Sequence, residues 1–118
     1  MILQPPPLRV LADARRLGEG MGTRFQILLE GVAREAFVVR YRGRCYGYLN
    51  LCRHQSLTLD FGDAHFFDDD YDALVCCHHG ARYRPETGEC AGGPCEGGRL
   101  TALVMEERDG ELWCTGWL

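Results

Sequence analysis

Apolar and polar positions alternate with a period of two in several short runs, each closed by turn residues. Arg24 to Leu29 is one such run, with Phe25 and Ile27 on one face, and Gly31 ends it. Glu35 to Tyr41 is a second run, followed by the turn pair Arg42-Gly43, and Cys45 to Leu51 is a third, rich in aromatic residues. These three runs predict an antiparallel meander, preceded by a short strand and a turn within residues 9–22. Beyond residue 52 the alternation stops, and residues 60–72 are acidic and aromatic. Ala73 to Cys76 predicts a short buried strand, and His79 to Tyr83 continues irregularly. Pro85 to Gly88 predicts a hairpin turn, and residues 91–98 a glycine-rich loop containing Pro94. Leu100 to Glu106 and Glu111 to Thr115 flank Asp109-Gly110, a strong two-residue hairpin signal. No long amphipathic helix and no internal repeat is present. The expected class is all-β: an antiparallel sandwich of small packed sheets in a single domain over residues 1–118, with residues 1–8 as an extended, proline-rich lead-in.

Fifteen glycines in 118 residues fit this turn-rich reading better than disorder, because long polar tracts are few. A net charge of −4 argues against a nucleic-acid partner. The charge is uneven: residues 1–50 hold eight Arg and four acids, while residues 51–118 hold five Arg and thirteen acids. The second half is therefore either a solvated acidic surface or a docking face. No apolar run is long enough for a membrane span, so no membrane association is expected. No basic region leads into an apolar stretch near the N-terminus, so the expected compartment is the cytoplasm. Seven cysteines in a reducing compartment are more often ligands or free thiols than disulfides.

Two short motifs concentrate the chemistry. Cys52-Arg53-His54 is C-x-H, and Cys76-Cys77-His78-His79-Gly80 contains C-x-x-H-G, with twenty-one residues between His54 and Cys76. Each lies where a strand gives way to a loop, which lets a Cys and a His converge on one point. Thiolates are soft donors suited to iron–sulfur units, and imidazoles in place of two thiolates make the unit less negative and easier to reduce. A zinc site also takes two Cys and two His, but its usual C-x₂₋₄-C and H-x₃₋₅-H spacings are absent. Either His78 or His79 satisfies the residue types of the second motif.

With both motifs in this order, the chain resembles the Rieske ferredoxin family, strongly from about Cys45 to Cys95 and more weakly from Arg24 onward. The block Cys-Cys-His-His-Gly-Ala-Arg-Tyr-Arg-Pro-Glu-Thr-Gly-Glu at 76–89 is similar to the family's second cluster loop and the hairpin after it. Gly93-Pro94 falls at the family's cluster-covering proline loop. The resemblance implies one [2Fe–2S] cluster per chain, its inner iron held by Cys52 and Cys76 and its outer iron by His54 and His79. The Gly that follows the ligand His in the family selects His79, which leaves Cys77 and His78 as spacers. The chain departs from the high-potential branch at Leu57 and His78, where that branch has a loop disulfide, and at Ala81, where it has a serine. Tyr83 keeps the family's aromatic position. This pattern is similar to the low-potential ferredoxins.

The resemblance implies a ferredoxin that takes single electrons from a ferredoxin reductase and delivers them to an acceptor such as a terminal oxygenase, with no substrate site of its own. A non-catalytic subunit or redox-sensing module of a larger oxidoreductase complex is the alternative. Cys90 and Cys95 read as free loop thiols in preference to a redox pair. Cys45 and Cys114 read as core residues, His65 as a packed surface-loop residue, and the Asp68–Asp72 run as a solvated loop.

Overall fold

The structure, a computed structural model, describes residues 7–29, 31–50, 59, 65–68, 70, 72–76, 80–93 and 97–117; the side chains of Leu29 and Trp117 are outside this set. Nine strands are described: β1 (Leu8–Leu11), β2 (Gly22–Leu29), β3 (Val32–Tyr41), β4 (Arg44–Leu49), β5 (Leu74–Val75), β6 (Arg82–Tyr83), β7 (Cys90–Gly92), β8 (Ala102–Arg108) and β9 (Glu111–Trp117). A single 3-10 turn at Ala14–Arg16 follows β1, capped by the Asp13 carboxylate, which accepts from the Arg15 N–H. All strand pairs are antiparallel. Six strands form one sheet in the order β1-β9-β8-β4-β3-β2, and three form a second in the order β5-β6-β7.

The expected meander is β2-β3-β4. The β2–β3 pairing runs in unbroken register from Gly22↔Val39 to Leu29↔Val32, and β4 continues from β3 through Arg42-Gly43, both at positive φ. Asp109-Gly110 likewise turns β8 into β9 with φ of 50° and 79°, a left-handed pair that suits the strand twist. Three expectations are corrected. Residues 82–83 and 90–92 are strands, too short to show a period of two. The lead-in stops short of Leu8, which opens β1 opposite Cys114, so its apolar side chain joins the core. The third strand ends at Leu49.

In β3, four consecutive residues, Ala36 to Val39, are fully buried. Both faces of this strand are covered, which removes the polar alternation expected of a half-exposed strand. On one face, Ala36 and Val38 pack with residues of β1, β9 and the 3-10 turn, among them Ala14, Leu17, Leu112 and Cys114, so the large sheet curls over itself. On the other face, Phe37, Val39 and Tyr41 meet Leu59, Phe66, Phe67, Leu74, Tyr83 and Leu100. Phe66 stacks on Phe37 at a centroid distance of 4.1 Å, and Phe67 on Tyr41 at 5.9 Å. The aromatic residues around His65 therefore build the joint between the two sheets, while His65 itself is exposed.

The small sheet is an excursion between two neighbours in the large one. β4 and β8 pair at Gly47↔Leu103 and Tyr48↔Ala102, yet β5, β6 and β7 lie between them in the chain. The Leu49 N–H donates to the Thr101 carbonyl at 3.0 Å, so the excursion leaves and returns at one point.

Candidate metal centre

Both cysteine–histidine motifs fall within this excursion. Cys52 and His54 lie outside the described residues, as do Cys77, His78 and His79; of the four predicted ligands, Cys76 is described. It directly follows β5 and is fully buried. Its N–H donates to the Ala81 carbonyl at 2.8 Å, and its carbonyl accepts from the Gly80 N–H at 2.8 Å. The two bonds tie the start of the second motif to its end. Gly80, at φ +72°, supplies the left-handed turn that brings the backbone back. Ala81 and Tyr83 are both fully buried behind this turn.

The first motif is bracketed by Asn50 and Leu59. The Asn50 N–H donates to the Glu35 carbonyl at 2.9 Å, and its side-chain Oδ1 accepts from the Leu59 N–H at 2.8 Å. A third segment approaches the second motif from β7. Gly93, at φ +81°, lies so close that a Cβ there would stand 2.9 Å from the Gly80 carbonyl oxygen and 3.2 Å from the Ala81 Cα. The position predicted to open the covering loop thus packs backbone against backbone, and only glycine fits. Further back, the buried Tyr48 hydroxyl donates to the Pro85 carbonyl at 2.6 Å and anchors the hairpin on β4. Burial raises the Tyr48 hydroxyl well above the ordinary phenol range.

The remaining cysteines sort by position. Among the described residues Cys45 and Cys114 are free thiols, and both belong to the large sheet. Cys45 is half-buried at the opposite end of β4 from the motifs, in an open hollow of about 410 Å³ lined by Arg44, Tyr46, Met105 and Glu107. Burial, with its hydrogen bond to Glu107 at 3.3 Å, pushes the Cys45 thiol up to about 11. Cys90 is disulfide-bonded, which corrects the free-thiol reading for that residue; Cys95 lies outside the described residues. Nothing in the spacing of Cys90 alone could have distinguished the two states.

The acidic run is also more structured than a solvated loop. The Asp68 carboxylate accepts from the Asp72 and Ala73 N–H groups and forms an ion pair with Arg82, so it fastens the approach to β5. Asp70 and Asp72 remain exposed.

The described part of the site fits a thiolate-bound iron–sulfur group. Cys76 is fully shielded from water, and its backbone bonds to Gly80 and Ala81 join the two ends of the C-x-x-H-G motif. Buried aliphatic and aromatic groups around it would limit solvent access to a bound cluster and so bear on its potential.

Comparison with known proteins bears on this geometry directly. The family model of the Rieske [2Fe-2S] domain matches residues 10–105. Among solved structures, the ferredoxin of carbazole 1,9a-dioxygenase from Nocardioides aromaticivorans IC177 superposes with a TM-score of 0.74 at 27% identity, covering 94% of this chain and 98% of that one. A complex of reduced oxygenase and oxidized ferredoxin in carbazole 1,9a-dioxygenase gives a TM-score of 0.75 at 25% identity, with 93% of each chain covered. A chain from a fluorene-bound oxygenase and ferredoxin complex shares the fold at 18% identity, with a TM-score of 0.77, over 95% of this chain and 29% of its own length. No curated protein matches the sequence.

Proposed function

The chain belongs to the Rieske [2Fe-2S] family, and on that premise we propose that it is a cytoplasmic ferredoxin carrying single electrons from a ferredoxin reductase to a terminal oxygenase. Cys52 and Cys76 hold the inner iron of one [2Fe–2S] cluster, and His54 and His79 the outer iron. When bound, the cluster supplies one-electron chemistry; the protein supplies burial, orientation and hydrogen bonds. The observation that carries the ligand assignment is the placement of Cys76. It is a fully buried cysteine whose N–H and carbonyl bond to Ala81 and Gly80, on the far side of the C-x-x-H-G motif. The acceptor class is supported by the similar ferredoxin that is found in complex with its oxygenase. The carrier reading assigns no substrate site to the domain over 1–118.

Iron and acid-labile sulfide analysis of the purified protein tests the cofactor, with two irons and two sulfides per chain expected for one [2Fe–2S] cluster. Alanine at any one of Cys52, His54, Cys76 or His79 is expected to abolish the rhombic EPR signal of the reduced protein, while His78→Ala retains it. A colourless protein holding one zinc per chain would overturn the cluster. Bleaching by His78→Ala with retention in His79→Ala would overturn the ligand frame alone. Steady-state reduction of a Rieske oxygenase by the protein tests the carrier role.

A further inference from the structure

Among the described residues, Asn50 is the one buried side chain that is neither apolar nor aromatic, at 3% exposure. Burying an amide is costly unless its hydrogen bonds are made, so its position calls for a reason. Its main chain is fixed to β3 by the bond from its N–H to the Glu35 carbonyl. Glu35 is in turn held from its other side, where its carboxylate accepts from Arg24 at 3.1 Å and Gln26 at 3.2 Å, both on β2. The Asn50 side chain accepts the Leu59 N–H at 2.8 Å, nine residues along the chain. Leu59 is fully buried in the aromatic core with Phe37, Phe66 and Tyr83. One residue therefore ties β3, the end of β4 and the buried Leu59 together.

We propose that Asn50 is a positioning residue for the cluster, because it ties Leu59 to the end of β4 on either side of the sequence that carries Cys52 and His54. The proposal rests on the ferredoxin reading for its cofactor, while the clamp itself stands on the protein's own hydrogen bonds. The required chemistry is an acceptor of this length at this position. Leucine has a similar shape and no acceptor, and leaves the Leu59 N–H buried without this partner. Aspartate keeps the acceptor. Serine is too short to span to Leu59.

Two readouts separate positioning from general stability. The first is amide hydrogen exchange at Leu59, which does not depend on the cluster. The second is the rate at which a ferric-iron chelator bleaches the visible absorbance of the oxidised protein. Asn50→Leu is expected to lose Leu59 protection and bleach several-fold faster than wild type. Asn50→Asp is expected to restore both, and Asn50→Ser to resemble the leucine variant should that one fail to fold. Leu112→Ala serves as the control, because it opens a cavity in the core on the opposite face of β3. At a comparable loss of thermal stability it is expected to leave Leu59 protection and bleaching near wild type. Bleaching of Asn50→Leu and Asn50→Ser at the wild-type rate overturns the positioning role, as does equally fast bleaching in Leu112→Ala. A wild-type protein without a cluster, in which Leu59 protection still depends on Asn50, would sink the ferredoxin reading and the cluster-positioning role while leaving the loop clamp standing.

Discussion

Replacing Gly88 by alanine tests how tightly the hairpin behind the second motif is held. Gly88 sits at φ +77°, and a Cβ there would stand 2.7 Å from the Tyr48 Cε1 and 3.3 Å from the Leu100 carbonyl oxygen. The ring has little room to yield, because Tyr48 is 2% exposed and its hydroxyl is bonded to the Pro85 carbonyl. The backbone is also fixed, since the Gly88 N–H donates to Arg84 and its carbonyl accepts from Leu100, both at 2.8 Å. A non-glycine residue in the left-handed region costs about 1–2 kcal/mol, and overpacking a filled core about 1–3 kcal/mol. Together these give roughly 2–5 kcal/mol, a large part of the ~5–15 kcal/mol stability usual for a domain. Gly110 supplies the reference within the same chain. It has φ +79° and nothing within 4 Å of its would-be Cβ, so Gly110→Ala carries the backbone cost alone. Denaturant unfolding followed by circular dichroism, at equal cluster occupancy, is expected to place Gly88→Ala about 1–3 kcal/mol below Gly110→Ala. Equal destabilisation of the two variants would refute the claim that the Tyr48 ring is pinned.

Three further outcomes follow from single groups. Ala81 is fully buried one residue beyond Gly80, and Ala81→Ser is expected to raise the reduction potential by adding a hydroxyl donor toward the cluster, as read by protein-film voltammetry; an unchanged or lower value would remove that argument. Cys45, with its thiol pushed up to about 11 by burial and Glu107, is expected to resist alkylation at pH 8 and to react faster as pH rises toward that value, measured by mass spectrometry after timed labelling; rapid labelling at pH 8 would contradict it. The Glu19 carboxylate accepts the Gly43 and Arg42 N–H groups, which hold it below its usual range. A lowered carboxylate stabilises the fold above its unfolded value near 4.5 and loses that contribution as pH falls through the lower folded value, so Glu19→Gln is expected to flatten the acid limb of a stability–pH curve; an unaltered limb would assign it elsewhere.

Much of this protein was determined by sequence alone. Runs rich in apolar and aromatic residues between turn signals marked β2, β3, β4, β8 and β9, because strands of six or more residues are long enough to be read. Asp109-Gly110 and Arg42-Gly43 marked their turns, because positive φ demands few residue types. The C-x-H and C-x-x-H-G spacings identified the family, since metal-ligand chemistry tolerates few donors. Tertiary structure decided the rest. β6 and β7 are two and three residues long, exist through pairing with a neighbour, and carry no period of their own. That β4 and β8 are neighbours, with the small sheet looped out between them, depends on contacts far apart in sequence. The same holds for Asp68 as a fastening of β5, for the disulfide at Cys90, and for Asn50 as the partner of the Leu59 N–H. A lone polar residue in sequence does not reveal whether its partner is water or a backbone nine residues away; only the fold brings the Leu59 N–H to Asn50 and excludes the water that would otherwise compete.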